Sequence, residues 1–264
     1  MRKLHLCIFI LAALCGGSTS AAGQDRPFVF SVTTPTEVSA PQVRVDYELG
    51  LGESTFHQQT SNGPEQRIGL QATRGRLTFV GHVGVSTSAT DTYQSSQQGE
   101  LLVSLLAPGA SRLALAVGGG VLHEPGGANV LLTRIVAGRE TTAMRLHGNL
   151  LFQKPFAAGR DAVDLITSVG WAARLTPTLS IGVEAIGEDL EGFWDPSEAE
   201  GGARLLAGPS LHIAPPQQRW QFSIAGGPTF HATTSGRASE AVRNLPPITA
   251  TRDFALRTTF ACRF

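Results

Sequence analysis

From residue 253 to residue 264 the chain alternates without a break. Phe254, Leu256, Thr258, Phe260, Cys262 and Phe264 fall on one parity, and Asp253, Ala255, Arg257, Thr259, Ala261 and Arg263 on the other. An extended chain points successive side chains to opposite faces, whereas an α-helix would scatter both sets around its circumference. The segment therefore reads as a strand with one mostly apolar face. The pattern recurs upstream. Val43, Val45, Tyr47 and Leu49 oppose Arg44, Asp46 and Glu48; Met144, Leu146, Leu150 and Phe152 oppose Arg145, His147, Asn149 and Gln153; Trp220, Phe222 and Ile224 oppose Gln221 and Ser223.

This periodicity predicts about twelve strands, near 43–56, 66–73, 75–87, 99–107, 111–123, 128–138, 141–153, 161–175, 178–190, 203–213, 219–231 and 252–264. Many reach about ten residues, against about 5–6 for the mean strand of a globular domain, and a tilted strand needs about 9–11 to cross a bilayer. The connections alternate. Long ones fall near 57–65, 88–98, 154–160, 188–202 and 232–251, and short ones near 74, 108–110, 139–140, 176–177 and 214–218, with the brief 124–127 as an exception.

Charged residues make up 16% of the chain, below the roughly 25% usual for soluble domains. The chain as a whole is nevertheless too polar for a bundle of membrane helices. Strands that enter hydrocarbon must pair every backbone N–H and C=O, which an open sheet edge cannot do. The expected fold is thus all-β, a closed antiparallel up-and-down transmembrane β-barrel of about twelve strands. Short turns on one side and longer loops on the other suit periplasmic and outer ends. Arg134 is the ambiguous position, because an Arg facing lipid at mid-depth costs about 2–4 kcal/mol. With Lys+Arg 21 and Asp+Glu 21, no basic surface for nucleic acid is expected.

Arg2 and Lys3, the apolar stretch Leu4–Leu14 and the small residues to Ala22 have the layout of a cleaved secretory signal peptide. The expected organisation is a signal peptide at 1–22, a periplasmic lead segment at 23–42, either mobile or folded into the lumen as a plug, and the barrel at 43–264. Loss of Cys7 and Cys15 with the signal peptide would leave Cys262 alone, without an intramolecular disulfide.

The ending Leu256–Phe264, with a terminal aromatic and apolar or aromatic residues at alternate positions before it, resembles the C-terminal signal of Gram-negative outer-membrane β-barrels. The resemblance implies an outer-membrane location, contact with outer-membrane lipid, and recognition by the barrel-assembly machinery through Leu256, Phe260 and Phe264. It identifies no particular barrel family.

If the apolar face meets lipid, the other face lines the interior. There it carries both signs of charge, including Arg44, Asp46, Glu48, Arg145, His147, Asp164, Glu184, Arg204 and Arg257. Such a lining can form ion-pair ladders or a wet pathway. Apolar inward positions such as Val80, Leu102, Ile166, Ile186 and Leu206 favour a narrow or partly plugged lumen over a wide pore. Glu188, Asp189, Glu191, Asp195, Glu198 and Glu200 crowd one outer loop beside Phe193 and Trp194. They lack the regular ligand spacing of a calcium loop and read as a solvated acidic loop, so no metal or cofactor is expected. His147 with Asn149, and His82 with Ser86, complete no recognisable catalytic set; no G-x-S-x-G or H-E-x-x-H is present, and no enzyme is expected. Gly118–Gly120 sits in a strand pattern, where glycine permits bending or close backbone approach rather than phosphate binding.

The expectation is a passive channel or transporter for a small solute. The alternatives are a structural or surface-interaction barrel with a sealed lumen, and a soluble exported all-β protein.

Overall fold

The computed structural model describes residues 26–32, 38–52, 64–87, 93–106, 113–125, 127–157, 163–193, 203–232 and 249–264. The predicted signal peptide lies outside them. Twelve strands run in chain order: β1 Val38–Gly52, β2 Glu65–Gly75, β3 Leu77–Thr87, β4 Tyr93–Leu106, β5 Leu113–His123, β6 Asn129–Glu140, β7 Met144–Pro155, β8 Asp164–Arg174, β9 Leu179–Glu188, β10 Ala203–Ile213, β11 Trp220–Ala232 and β12 Thr249–Arg263. Each pairs antiparallel with its neighbour in sequence. The ring closes where β1 meets β12, from Arg44 opposite Arg263 to Gly52 opposite Ala255. No free sheet edge remains among the described strands, which rules out two stacked layers and with them the soluble sandwich.

Two strand starts differ from the sequence reading by five residues or more. β4 begins at Tyr93 rather than near residue 99, because Tyr93 to Gln98 continue the ladder opposite Thr87 to His82. The backbone bonds of a ladder do not require an apolar side chain, so the polar run YQSSQQ hides a strand from any periodicity test. β1 begins at Val38 rather than 43, with an irregularity in its register between Val38 and Gln42, and the barrel therefore starts inside the expected lead segment.

Burial follows the alternation. On β7, Arg145, His147, Asn149, Leu151 and Gln153 are buried while Met144, Leu146, Leu150 and Phe152 are exposed. Ile68, Val83, Leu101, Val121 and Val183, on five different strands, are each more than half exposed. A belt of that size is not tolerated in water and matches the lipid-facing band of a membrane barrel. Arg134 is buried, on the inner face of β6, so the strand presents Leu131, Thr133 and Ile135 outward instead. In the full-length chain Cys262 is buried and disulfide-bonded to a partner outside the described residues; the expectation of a lone cysteine applies only to a chain that has lost Cys7 and Cys15.

Candidate functional site

The interior is not empty. Arg26 to Ser31 are buried and Val32 is half-buried, and this short segment crosses the lumen from the β11–β1 wall to the β7 wall. It is termed the strap below. No backbone–backbone hydrogen bond holds it to the barrel among the described residues; wall side chains hold it instead. Arg26 N–H donates to Gln221 Oε1 (3.0 Å), and Ser223 Oγ donates to the Arg26 carbonyl (3.0 Å). Glu184 Oε2 accepts from both Val29 N–H and Phe30 N–H (2.8 Å each). Asn149 accepts from Val32 N–H (2.9 Å) and returns its amide to the Val32 carbonyl (3.0 Å), while the Ser31 and Ser168 hydroxyls lie 3.0 Å apart.

The Arg26 guanidinium bridges Glu48 (2.5 Å) and Asp46 (3.2 Å), and folds back onto the carbonyls of Phe28 and Val29. Both carboxylates have further basic partners: Arg67 sits 2.5 Å from Glu48, and Arg44 sits 3.4 Å from Asp46 while donating to Gln71. Buried charges are tolerable only when paired and hydrogen-bonded in this way. Ligand atoms of Asp46, Glu48 and His82 lie within 4.8 Å of one another, a spacing that suits a metal ion, yet the Arg26 guanidinium already supplies cationic charge to both carboxylates.

The two strap phenylalanines have made-to-measure surroundings. A Cβ on Gly170 would lie 2.3 Å from the Phe28 ring, so only glycine there admits the ring, which also lies 5.4 Å from His147. Phe30 lies beneath the Arg257 guanidinium, 5.6 Å from it, close enough for a cation–π contact. With Val29 it joins an inward apolar cluster of Leu122, Val130, Leu132, Leu151, Ile166, Ile186 and Leu206. A cavity of about 90 Å³ remains between strap and wall.

Elsewhere, Arg134 on β6 reaches across β5 to Glu100 on β4, making two bonds of 2.7 and 2.8 Å. Gly118 stands opposite Arg134 and Gly120 opposite Glu100, so the intervening strand puts no side chain in the way. The glycine run therefore serves close approach and a bridge over β5.

Of the nine residues expected to line the lumen, eight are buried and Arg204 is half-buried. Asp46, Glu48, Arg44, Glu184 and Arg257 gather around the strap, as does His147 through Phe28. Arg145 stands apart near the short-turn end with Glu140 (2.6 Å), and Arg204 and Asp164 lie toward the opposite end. Glu188, expected in the acidic outer loop, is instead the last residue of β9, buried and paired with Arg204 at 2.6 Å. Strand alternation carries its side chain inward. Asp189 follows it, and Glu191 belongs to a single 3-10 turn, Leu190–Phe193; Asp195, Glu198 and Glu200 lie outside the described residues. Leu256 and Phe260 occupy the outward parity of β12, half-buried, with Phe260 stacked on Trp220, and Phe264 is exposed.

The sequence reading missed Arg26 and the way Phe28 and Phe30 are seated. A usable signal was present, because Phe28-Val29-Phe30 is an apolar run in a segment otherwise read as a polar leader.

No family model matches the chain, and no curated protein matches it. Among solved structures, a KdgM porin in complex with disordered oligogalacturonate superposes with a TM-score of 0.51 at 9% identity, over 84% of this chain and 99% of that one. A NanC porin gives 0.48 at 8% identity, over 84% and 98%, and OmpT of Vibrio cholerae gives 0.40 at 11%, over 88% and 99%. At such identities the likeness to the KdgM porin is one of fold, and the two lower scores add no argument. The fold is that of the outer-membrane β-barrel porins.

Proposed function

We propose that the protein is an outer-membrane channel for a small solute, held nearly closed by its own N-terminal strap. The observation that carries this reading is the two-sign inner wall, whose charges converge on a segment that is not part of the barrel. A barrel sealed for structural reasons alone could fill its interior with wall side chains. Here Asp46, Glu48 and Glu184 instead hold a chain segment of seven residues that, among the described residues, has no backbone bond to any strand. The lipid-facing belt and the outward Leu256, Phe260 and Phe264 support residence in the outer membrane and assembly through the last strand.

Planar-bilayer recording tests the proposal. The native chain is expected to show rare or small single-channel steps, and Arg26→Glu, which sets a third carboxylate against Asp46 and Glu48, is expected to show frequent and larger ones. The second reading, a sealed barrel, is favoured by the packing of Val29 and Phe30 into the apolar cluster. It gains if Arg26→Glu folds with heat-modifiable migration and still gives no steps.

A further inference from the structure

The strap is gripped as a ligand would be. Its contacts divide into three kinds, and each is chemically selective. First, wall side chains read the peptide backbone: Asn149 bonds both the N–H and the C=O of Val32, and Glu184 takes two successive N–H groups. A pairing of this kind recognises a bent amide chain, as Val29 to Ser31 form here, whatever its side chains are. Second, a carboxylate pair receives a guanidinium at the start of the segment. Third, Gly170 and the apolar wall receive rings spaced two residues apart.

The charge balance points the same way. With Arg26 withdrawn, Asp46 and Glu48 keep Arg44 and Arg67 beside them but lose the guanidinium that bridges the two carboxylates. In low dielectric the loss of that bridge favours a cationic occupant. Neither a neutral sugar nor an anion would replace the guanidinium that bridges the two carboxylates.

We infer that the seat under the strap is a binding site for short peptides that bend as the strap does and carry a cationic side chain followed by apolar or aromatic residues, and that the strap is its tethered occupant. The inference deepens the channel reading by naming the solute class, and it rests on that reading only for passage, not for binding. Tethering explains why the strap would hold the seat against a free peptide, since covalent linkage makes its binding intramolecular, with an effective concentration on the order of millimolar.

The test uses a chain lacking residues 26–32, with Arg26→Glu as a second variant that keeps the full length. Each is titrated calorimetrically in detergent with an acetylated, amidated peptide that reproduces residues 26–32, and with the same peptide bearing Glu in place of Arg. Binding of the first peptide to either variant, with the Glu version at least about 30-fold weaker, is the expected result; loss of a buried charge pair costs about 2 kcal/mol or more. The native chain should bind the first peptide far more weakly than either variant. A folded variant that binds neither peptide, or both alike, overturns the inference. Failure of the channel reading is separate and shows as a variant that titrates with peptide but conducts nothing.

Discussion

The two halves of the inner wall solve the same problem differently. Along β1 to β4 and β12 the wall is charged, with Arg44, Asp46, Glu48, Arg67, Glu100 and Arg257. Along β5 to β10 its middle is apolar, with Leu122, Val130, Leu132, Leu151, Ile166, Ile186 and Leu206. The strap divides accordingly: its guanidinium goes to the charged half, Val29 joins the apolar cluster, and Phe30 lies between that cluster and Arg257. Charged pairs are directional and costly to leave incomplete, while apolar packing is forgiving of small changes. The charged half therefore fixes where the strap sits, and the apolar half closes the space around it.

The largest effect should come from breaking the pair that joins the two halves, Arg134 on β6 with Glu100 on β4. Arg134→Met leaves Glu100 buried without its guanidinium, which costs about 3–5 kcal/mol, and a matching drop in the urea midpoint in detergent is expected. Adding Glu100→Gln should restore most of that loss, because an absent pair is far less costly than half of one. A single-variant loss below about 1 kcal/mol would show that water reaches the pair and that the contrast between the halves is overstated.

A smaller effect is expected at Gly170, where the strap meets the wall without charge. Gly170→Val would drive side-chain atoms into the Phe28 ring, an overpacking cost of about 1–3 kcal/mol. Single-channel steps should become more frequent as the strap loosens, although every ion pair of the charged half is retained. Ile186→Val removes one methylene from the apolar half and should cost about 0.5–1.5 kcal/mol with conductance unchanged. If Ile186→Val opened the channel as much as Gly170→Val, the apolar half and not the charged half would be setting the strap's position.

The strand count and the face of each residue were legible in the sequence, because lipid outside and polar groups inside impose a two-residue period wherever the chain crosses the bilayer. That logic failed at Tyr93–Gln98, where β4 has no apolar face to display. Partnerships were less legible than faces. Glu48 and Arg67 stand directly opposite each other, a register that alternation alone does not fix. Glu100 and Arg134 are 34 positions apart and meet over a third strand. Gly118 and Gly120 were the trace of that crossing, readable as close approach but not as a bridge for a named pair. The strap was harder still. Nothing local in Arg26–Val32 says that five distant strands will offer it carboxylates, amides and hydroxyls, since those partners are assembled only when the barrel closes.

The smallest expected effect lies at the end of β9, beyond both halves. Asp189 holds a left-handed backbone angle (φ 47°), donates its N–H to the Leu165 carbonyl (3.0 Å), and accepts the Leu165 N–H on Oδ1 at 3.0 Å. Burial pushes its carboxyl up to about 7, and the charges of Glu188, Asp164 and Glu191 add to the rise against the pull of the Leu165 N–H. A folded-state value above the ordinary 3.8 means that the folded chain holds this proton more tightly than the unfolded one. The stabilisation is complete below about 3.8 and is lost as pH rises through about 7. Protection of the Leu165 amide from hydrogen exchange, corrected for the intrinsic rate, should therefore fall between pH 5 and pH 8. In Asp189→Asn, whose amide does not titrate and whose side chain suits a left-handed backbone, the same profile should be flat. Parallel profiles in the two proteins would place the pH response in the charged wall instead of this loop, and the two regions would no longer be separable by titration.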